Sequence, residues 1–349
     1  MSGKPRIGWG VVGIGWVTRD YVVPAIGSAA NAELVRVCDR RVEAVAEYPA
    51  EARATLEELL ADDDVDAVYV ATPNDSHEAI AVAALEAGKP VLCEKPLAAT
   101  QAAAERMAAA SERTGTLLAT AYDQRFHPAH QSLRSLVRAG ALGSVTQARI
   151  HYACWLPSDW ADDNWRIDPA RAGGGAGIDL APHGVDLLAT LLDAEPVRMT
   201  AALQSGTQNY ASGADDGAVV LVEFDAFDAG SGRVLATIHV GYNCPDELPR
   251  RRLELVGTRG MVLAENTMGQ TAGGSVTLFD AAGERLPQEL PEPERSPFAG
   301  QIEAFSEAVR LGRPFEFPVA ADVRRLGMLL DARDEAAGRL ETIPKDEDR

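Results

Sequence analysis

Along the first third of the chain, apolar residues come in short blocks. Residues 6–12 form an apolar, β-branched run that ends on glycines, and 33–38, 67–71, 90–93 and 116–121 repeat the type. Between these runs lie helix-like stretches at 16–29 and 56–60, one opened by Pro73 and Asn74 and stopped at Gly88, and one at 100–113. Short apolar runs without alternation suit strands buried on both faces, and strands taking turns with helices predict a parallel, doubly wound sheet. After Arg125-Phe126-His127-Pro128 the pattern changes. A helix is expected over 128–139, a strand over 145–155 and a polar, Trp-containing loop over 157–171. Six strand-like runs follow, at 196–203, 218–224, 234–242, 252–256, 261–264 and 275–279. Turn signals such as Gly230-Ser231-Gly232 and Gly257-Thr258-Arg259-Gly260 separate them, helices over 298–311 and 319–338 follow, and a charged, loose tail is expected from Lys345. The expected organisation is therefore α/β, with residues 1–123 as one domain and 124–349 as an α+β domain built on a large, mostly antiparallel open sheet. Such a sheet needs cover on each face, so a homodimer or homotetramer is expected if the face away from its own helices is apolar.

One stretch breaks every regular pattern: Gly173-Gly174-Gly175-Ala176-Gly177-Ile178-Asp179-Leu180-Ala181-Pro182-His183-Gly184-Val185-Asp186. Glycines in this density predict a turn that lets a main chain or a ligand come close. A helix should begin after it. Pro182 is expected in its first turn, where no N–H is needed, which puts Asp179 near the cap and the helix end near Leu192. Asp179 and His183 are then i,i+4 neighbours, a carboxylate and an imidazole placed to move a proton to or from a hydroxyl.

A length of 349 residues, 46% apolar and 24% charged, is that of a soluble two-domain protein. No apolar run is long enough to span a membrane and the N-terminus lacks a secretory pattern, so the cytoplasm is the expected location. A net charge of −19 argues against nucleic acid or an anionic membrane as partner. Cys38, Cys93, Cys154 and Cys244 lie far apart without a C-x-x-C pair, and read as reduced, mostly core thiols; no metal is expected. Lysine occurs only at Lys4, Lys89, Lys95 and Lys345 among 33 cationic residues, so each marks a place where a compact ammonium is preferred to a guanidinium.

Chemistry gathers at the expected strand ends. Gly10-Val11-Val12-Gly13-Ile14-Gly15 carries a strand into a glycine turn and a helix N-terminus, the arrangement that holds a pyrophosphate, with Thr18 where a third small residue is usual. Asp39 ends the second strand, where an acid accepts hydrogen bonds from ribose hydroxyls; it favours NAD over NADP, although Arg40 and Arg41 beside it could receive a 2′-phosphate. Thr72 and Lys95 stand at the next ends, and Pro96 restricts Lys95 to extended backbone.

The glycine turn, Ala71-Thr72-Pro73-Asn74-Asp75-Ser76-His77, Cys93-Glu94-Lys95-Pro96-Leu97, Arg125-Phe126-His127-Pro128 and Asp179-x-x-x-His183-x-x-Asp186, in this order, resemble the Gfo/Idh/MocA oxidoreductases, the relatives of glucose-fructose oxidoreductase and inositol dehydrogenase. The resemblance implies an N-terminal Rossmann domain and a C-terminal domain whose sheet makes subunit contacts. It also implies NAD(P)-linked hydride transfer at a hydroxyl or ketone carbon of a sugar or polyol. Lys95 would position and polarise the reacting oxygen, His183 would be the general acid/base, and Asp179 would orient substrate or assist. The cofactor would be held by Gly13, Gly15, Trp16, Val17, Asp39, Arg40, Thr72, Pro73, Asn74, His77, Glu94 and Lys95, with Trp165 and Arg166 at its nicotinamide end. Asp123, Arg125, Tyr152 and Trp165 would join Lys95, Asp179 and His183 around the substrate. Asp123 stands where an uncharged residue is common, which disfavours an anionic substrate. A glycoside hydrolase assisted by bound NAD and a catalytically idle dinucleotide-binding regulator stay open as alternatives.

Overall fold

The computed structural model describes residues 6–161, 164–225 and 232–341. The expected turn at Gly230 and Ser231, Asp162 and Asp163 of the loop, and the tail from Lys345 lie outside the described residues. The chain divides into two units: Met1–Gln131 with Gly269–Gly273 and Pro291–Val323, and Ser132–Met268 with Gly274–Leu290 and Arg324–Arg349.

The first unit contains β1 (Ile7–Val12), α1 (Val23–Ser28), β2 (Ala32–Cys38), α2 (Val42–Val45), α3 (Leu56–Ala61), β3 (Ala67–Val70), α4 (His77–Glu86), β4 (Val91–Glu94), α5 (Gln101–Thr114) and β5 (Leu118–Ala121). Its five strands are all parallel, in the order β2-β1-β3-β4-β5. Every residue of β1 is buried, as a strand covered on both faces requires. Residues 291–323, expected with the second domain, belong to this unit. Their helix α9 (Pro297–Leu311) packs on α1, β1 and β2. Trp9 of β1 donates through Nε1 to Ser306 Oγ at 3.0 Å and meets the Phe305 ring at 5.6 Å, while Phe298 stacks on Tyr21 at 5.3 Å.

Helix α6 (Pro128–Arg138) starts in the first unit and ends in the second. There follow β6 (Val145–Ala153), α7 (Pro169–Ala172), α8 (Ala176–Leu192), β7 (Pro196–Gln204), β8 (Gly217–Asp225), β9 (Arg233–Gly241), β10 (Arg251–Gly257), β11 (Gly260–Glu265), β12 (Ser275–Asp280) and β13 (Arg285–Gln288). The eight strands lie in the order β13-β12-β11-β10-β6-β9-β8-β7, and all pairs are antiparallel except β6 with β9. Strand β13 carries no apolar signal and contains Pro287. It is tolerated because an edge strand pairs on one side only. Helix α10 (Val319–Glu341) closes the described chain, and no helix among the described residues is long and apolar enough to cross a membrane.

Helix α8 lies on β6, β8 and β9 and is buried along almost its whole length. Strand β9 alternates buried and exposed residues, so the sheet has one covered face, while its other face leaves Leu221 and Leu235 53% and 60% exposed. The helix begins earlier than expected, at Ala176, and Pro182 lies in its interior rather than in its first turn. The cause is a cap from outside. Asp215, just before β8, accepts from the Gly175 and Gly177 N–H groups through its two carboxylate oxygens at 2.9 and 2.6 Å, and its carbonyl accepts from Ala176 N–H at 2.9 Å. With these donors satisfied, the helix can open on glycine. The glycines let the Asp215 backbone approach: a Cβ on Gly175 would stand 2.1 Å from the Asp215 carbonyl oxygen. Asp215→Ala leaves two buried N–H groups without their acceptor and is expected to cost about 2–4 kcal/mol in chemical denaturation; a loss below about 0.5 kcal/mol would show that the cap is dispensable.

Candidate active site

In the first unit the sequence-predicted residues stand at the carboxyl ends of the parallel strands. Gly13 has φ +96°, and a Cβ there would lie 2.6 Å from the Ala71 carbonyl oxygen and 2.8 Å from the Thr72 nitrogen, so only glycine fits. A Cβ on Gly15 would meet open space. That is the room an anion needs at a helix N-terminus. Thr18 does not loosen the turn: buried at the start of a π-helical turn, it donates through Oγ1 to the Gly13 carbonyl at 2.6 Å. Trp16 is exposed, with its ring edge-on to Tyr21, and Val17 packs on the unit's apolar core.

Asp39 accepts from Ile14 N–H at 2.7 Å and from Arg41 through both its backbone N–H, at 2.9 Å, and its guanidinium, at 3.1 Å. Burial pushes this carboxyl up, but the Arg41 and Ile14 donors outweigh burial and hold it below its ordinary value. Arg41 therefore partners Asp39, while Arg40 is exposed. Ser76 Oγ lies 2.9 Å from Thr72 Oγ1 and 2.7 Å from the Pro73 carbonyl, which braces the turn before the buried Asn74.

At the ends of β4 and β5 a charged cluster forms. Tyr69 of β3 donates to Glu94 Oε1 at 2.7 Å, and the Lys95 backbone N–H donates to Glu94 Oε2 at 3.2 Å; the Lys95–Pro96 bond is cis. Asp123 is buried and accepts from Gln124 Nε2 at 2.8 Å. Burial, with the charge of Glu94, pushes its carboxyl up to about 7 against the opposing pull of Gln124 and Lys95.

In the second unit α8 supplies Asp179 and His183. Tyr242, just past β9, donates through its hydroxyl to Asp179 Oδ2 at 2.7 Å. His183 is buried with its ring edge-on to Tyr152 of β6, centroids 5.6 Å apart. Arg166 stacks over the Trp165 ring at 4.6 Å, and its charge acts on Tyr242. Burial first, then Asp179, raises the Tyr242 phenol well above its ordinary value, so it stays a hydrogen-bond donor. A cavity of about 500 Å³ is lined by Asn164, Trp165, Asp168, Arg171, Asn209 and Tyr210 among others. The volume suits a small molecule, and the lining offers hydroxyl, amide, carboxylate and guanidinium groups around one indole.

A family model described as an oxidoreductase family with NAD-binding Rossmann fold matches residues 7–122, and the GFO/IDH/MocA C-terminal domain matches residues 130–263. The chain is 33% identical over 306 residues to 1,5-anhydro-D-fructose reductase of Ensifer adhaerens, covering 86% of this chain and 87% of that one. It belongs to the Gfo/Idh/MocA oxidoreductases. Inositol 2-dehydrogenase 1 of Saccharopolyspora erythraea is 32% identical over 72% of each chain. Among solved structures, an aldose-aldose oxidoreductase from Caulobacter crescentus, complexed with glycerol, superimposes with a TM-score of 0.85 at 24% identity, over 96% of this chain and 98% of that one.

Two residues of this Gfo/Idh/MocA chain that were expected at ligands have side chains engaged within the fold. His77, expected at the cofactor, is fully buried. Its Nε2 lies 2.9 Å from the Thr72 carbonyl and its Nδ1 3.2 Å from those of Pro96 and Leu97, so it ties two strand-end loops together, and burial lowers its pKa. Arg125, expected at the substrate, is buried in an ion pair with Asp322 at 2.5 Å, its guanidinium over the Tyr122 and Phe317 rings. His127 and His130 are likewise occupied, by the carbonyls of Thr271 and Gln124. Among the described residues no group of three or more His, Cys, Asp or Glu could hold a metal. Tyr242, Tyr69 and Asp215 escaped the sequence reading, because a lone Tyr or Asp beside a turn carries no local signal.

Asp123 gives the first unit a pH signature. Its folded pKa is raised, so the folded chain keeps a proton that the unfolded chain has already lost, and stability falls as pH rises from about 4 towards 7. Asp123→Asn is expected to flatten the decline of Tm between pH 5 and pH 8 relative to wild type. Parallel curves would show that Asp123 is ionised throughout.

Proposed function

We propose that this oxidoreductase interconverts a hydroxyl and a ketone carbon of a neutral sugar or polyol with NAD, and NADP as the weaker alternative. The observation that carries the reading is the group on α8 and its neighbours: a buried His183 against Tyr152, with Asp179 one turn earlier held by Tyr242. An imidazole in such a setting can take a proton from a substrate hydroxyl or return one to an oxyanion. Asp179, fixed by Tyr242, would orient the hydroxyl; Lys95 would stabilise negative charge on the reacting oxygen. The first unit's cradle fits a dinucleotide, since Gly13 admits no side chain and Gly15 leaves space at a helix N-terminus. A nicotinamide cofactor, when bound, supplies the hydride chemistry; Gly13, Gly15 and Asp39 would hold it, with Thr72, Pro73 and Asn74 along the same strand ends and Trp165 and Arg166 at its nicotinamide end.

Asp39 supports NAD, and the Arg41 guanidinium bound to it supplies the cation that would let NADP compete. The relatives named after anhydrofructose and inositol support a carbohydrate, as does the polar cavity beside Trp165. Glu94 and Asp123 near Lys95 weigh against an anionic substrate. The four thiols, none in a disulfide, suit a reducing cytoplasm. Exposed Leu221 and Leu235 on the open sheet face support a homo-oligomer.

An absorbance screen at 340 nm across polyols, sugars and nucleotide sugars, with both cofactors, should identify a neutral substrate and a preference for NAD. On it, Lys95→Ala and His183→Ala should each lower turnover by at least about a hundredfold with the fold retained; a variant of either with near-normal turnover would take that residue out of the reaction. Light scattering at micromolar concentration should give a dimer or tetramer mass, and a monomer mass would refute the role given to the sheet face.

A further inference from the structure

Cys154 and Cys244 are remote in sequence but adjacent in the fold. They follow β6 and β9, the parallel pair, in which Ala153 stands opposite Gly241. Beyond those residues the two segments stay zipped. Cys154 N–H donates to the Gly241 carbonyl at 2.9 Å, Leu156 N–H to that of Tyr242 at 2.9 Å, and Cys244 N–H to that of Cys154 at 3.3 Å, with Trp155 and Asn243 forming a β-bridge. The rung beyond the antiparallel Trp155–Asn243 bridge sets Cys154 opposite Cys244, and opposed residues of antiparallel strands have Cα atoms roughly 4.5–5.5 Å apart. A disulfide spans roughly 4.4–6.8 Å between Cα atoms. Both residues are half-buried, within reach of a small oxidant, whereas Cys93 is fully buried and Cys38 belongs to the other unit.

The zipped segment also contains the support of the candidate active site. Tyr242 lies between β9 and Cys244 and donates to Asp179. Cys154 is close enough to Tyr210 and Tyr242 for its charge to act on both phenols. We propose that Cys154 and Cys244 form a reversible disulfide on exposure to a peroxide, and that this bond shifts the Tyr242 segment and weakens its hold on Asp179. The chemistry balances without any further reactant. One thiol, attacking as its thiolate, breaks the O–O bond of hydrogen peroxide to give a sulfenic acid and hydroxide, which takes up the proton the thiol released and becomes water; the second thiol displaces the hydroxyl as a second water and the S–S bond forms. Two electrons pass from the two sulfurs to the peroxide, and a dithiol reductant returns them. Cysteine pairs of this kind in reducing compartments act transiently, as sensors.

The reduced full chain, treated with dilute hydrogen peroxide and then denatured, should drop from four titratable thiols to two. Mass spectrometry of a non-reduced digest should find the Cys154 and Cys244 peptides joined, two hydrogens lighter than their sum. Cys154→Ser and Cys244→Ser should each keep their remaining three thiols at the same dose. Thiol loss without the joined peptide, or equal loss in either variant, overturns the pairing whatever the substrate is. The effect on turnover rests on the proposed function: oxidation should lower it several-fold in wild type, reversibly with dithiothreitol, and leave Cys244→Ser unchanged. A joined peptide with undiminished turnover overturns the link to Asp179.

Discussion

The architecture of the second unit depends on one cap. Asp215 supplies three acceptors to the start of α8, and that start consists of glycines that only a close main chain can fill. The cap sets where α8 begins, and so which helical positions Asp179 and His183 occupy over β6, β8 and β9. Tyr152 and Tyr242 meet these two side chains because their strands are neighbours of the same helix. An acceptor from beside the sheet thus gives the helix its register, and the register gives the Asp179 and His183 pair its geometry.

The parallel sheet was legible because its signals are local. Buried strands show as apolar blocks, Gly13 as a turn that tolerates nothing larger, and Asp39 by its spacing from the glycines. Burial and pairing across sequence were not legible. His77 and Arg125 carry chemistry that suits a ligand, yet each is consumed inside the fold, one by carbonyls and the other by Asp322 and two aromatic rings. Pro182 misled because the argument from its missing N–H placed it in the first turn, whereas the helix begins at Ala176, where Asp215 supplies acceptors for the first donors. Strand β13 was invisible because an edge needs no apolar face. Cys154 and Cys244 became neighbours only through the pairing of β6 with β9.

Charge is managed differently in the two units. Around Lys95 two acids are close enough to interact; Glu94 accepts from the Tyr69 hydroxyl and the Lys95 N–H, and burial, with the charge of Glu94, pushes the Asp123 carboxyl up. Around α8 Asp179 accepts from a neutral donor, the Tyr242 hydroxyl.

Helix α9 bears on how the chain is made. Trp9 and its partner Ser306 are separated by 297 residues, so a ribosome releases β1 long before the surface that covers it exists. The nascent parallel sheet must wait with an apolar flank uncovered, which is the condition that recruits chaperones. For the same reason, cutting the gene after β5 would yield a nucleotide-binding fold stripped of one wall.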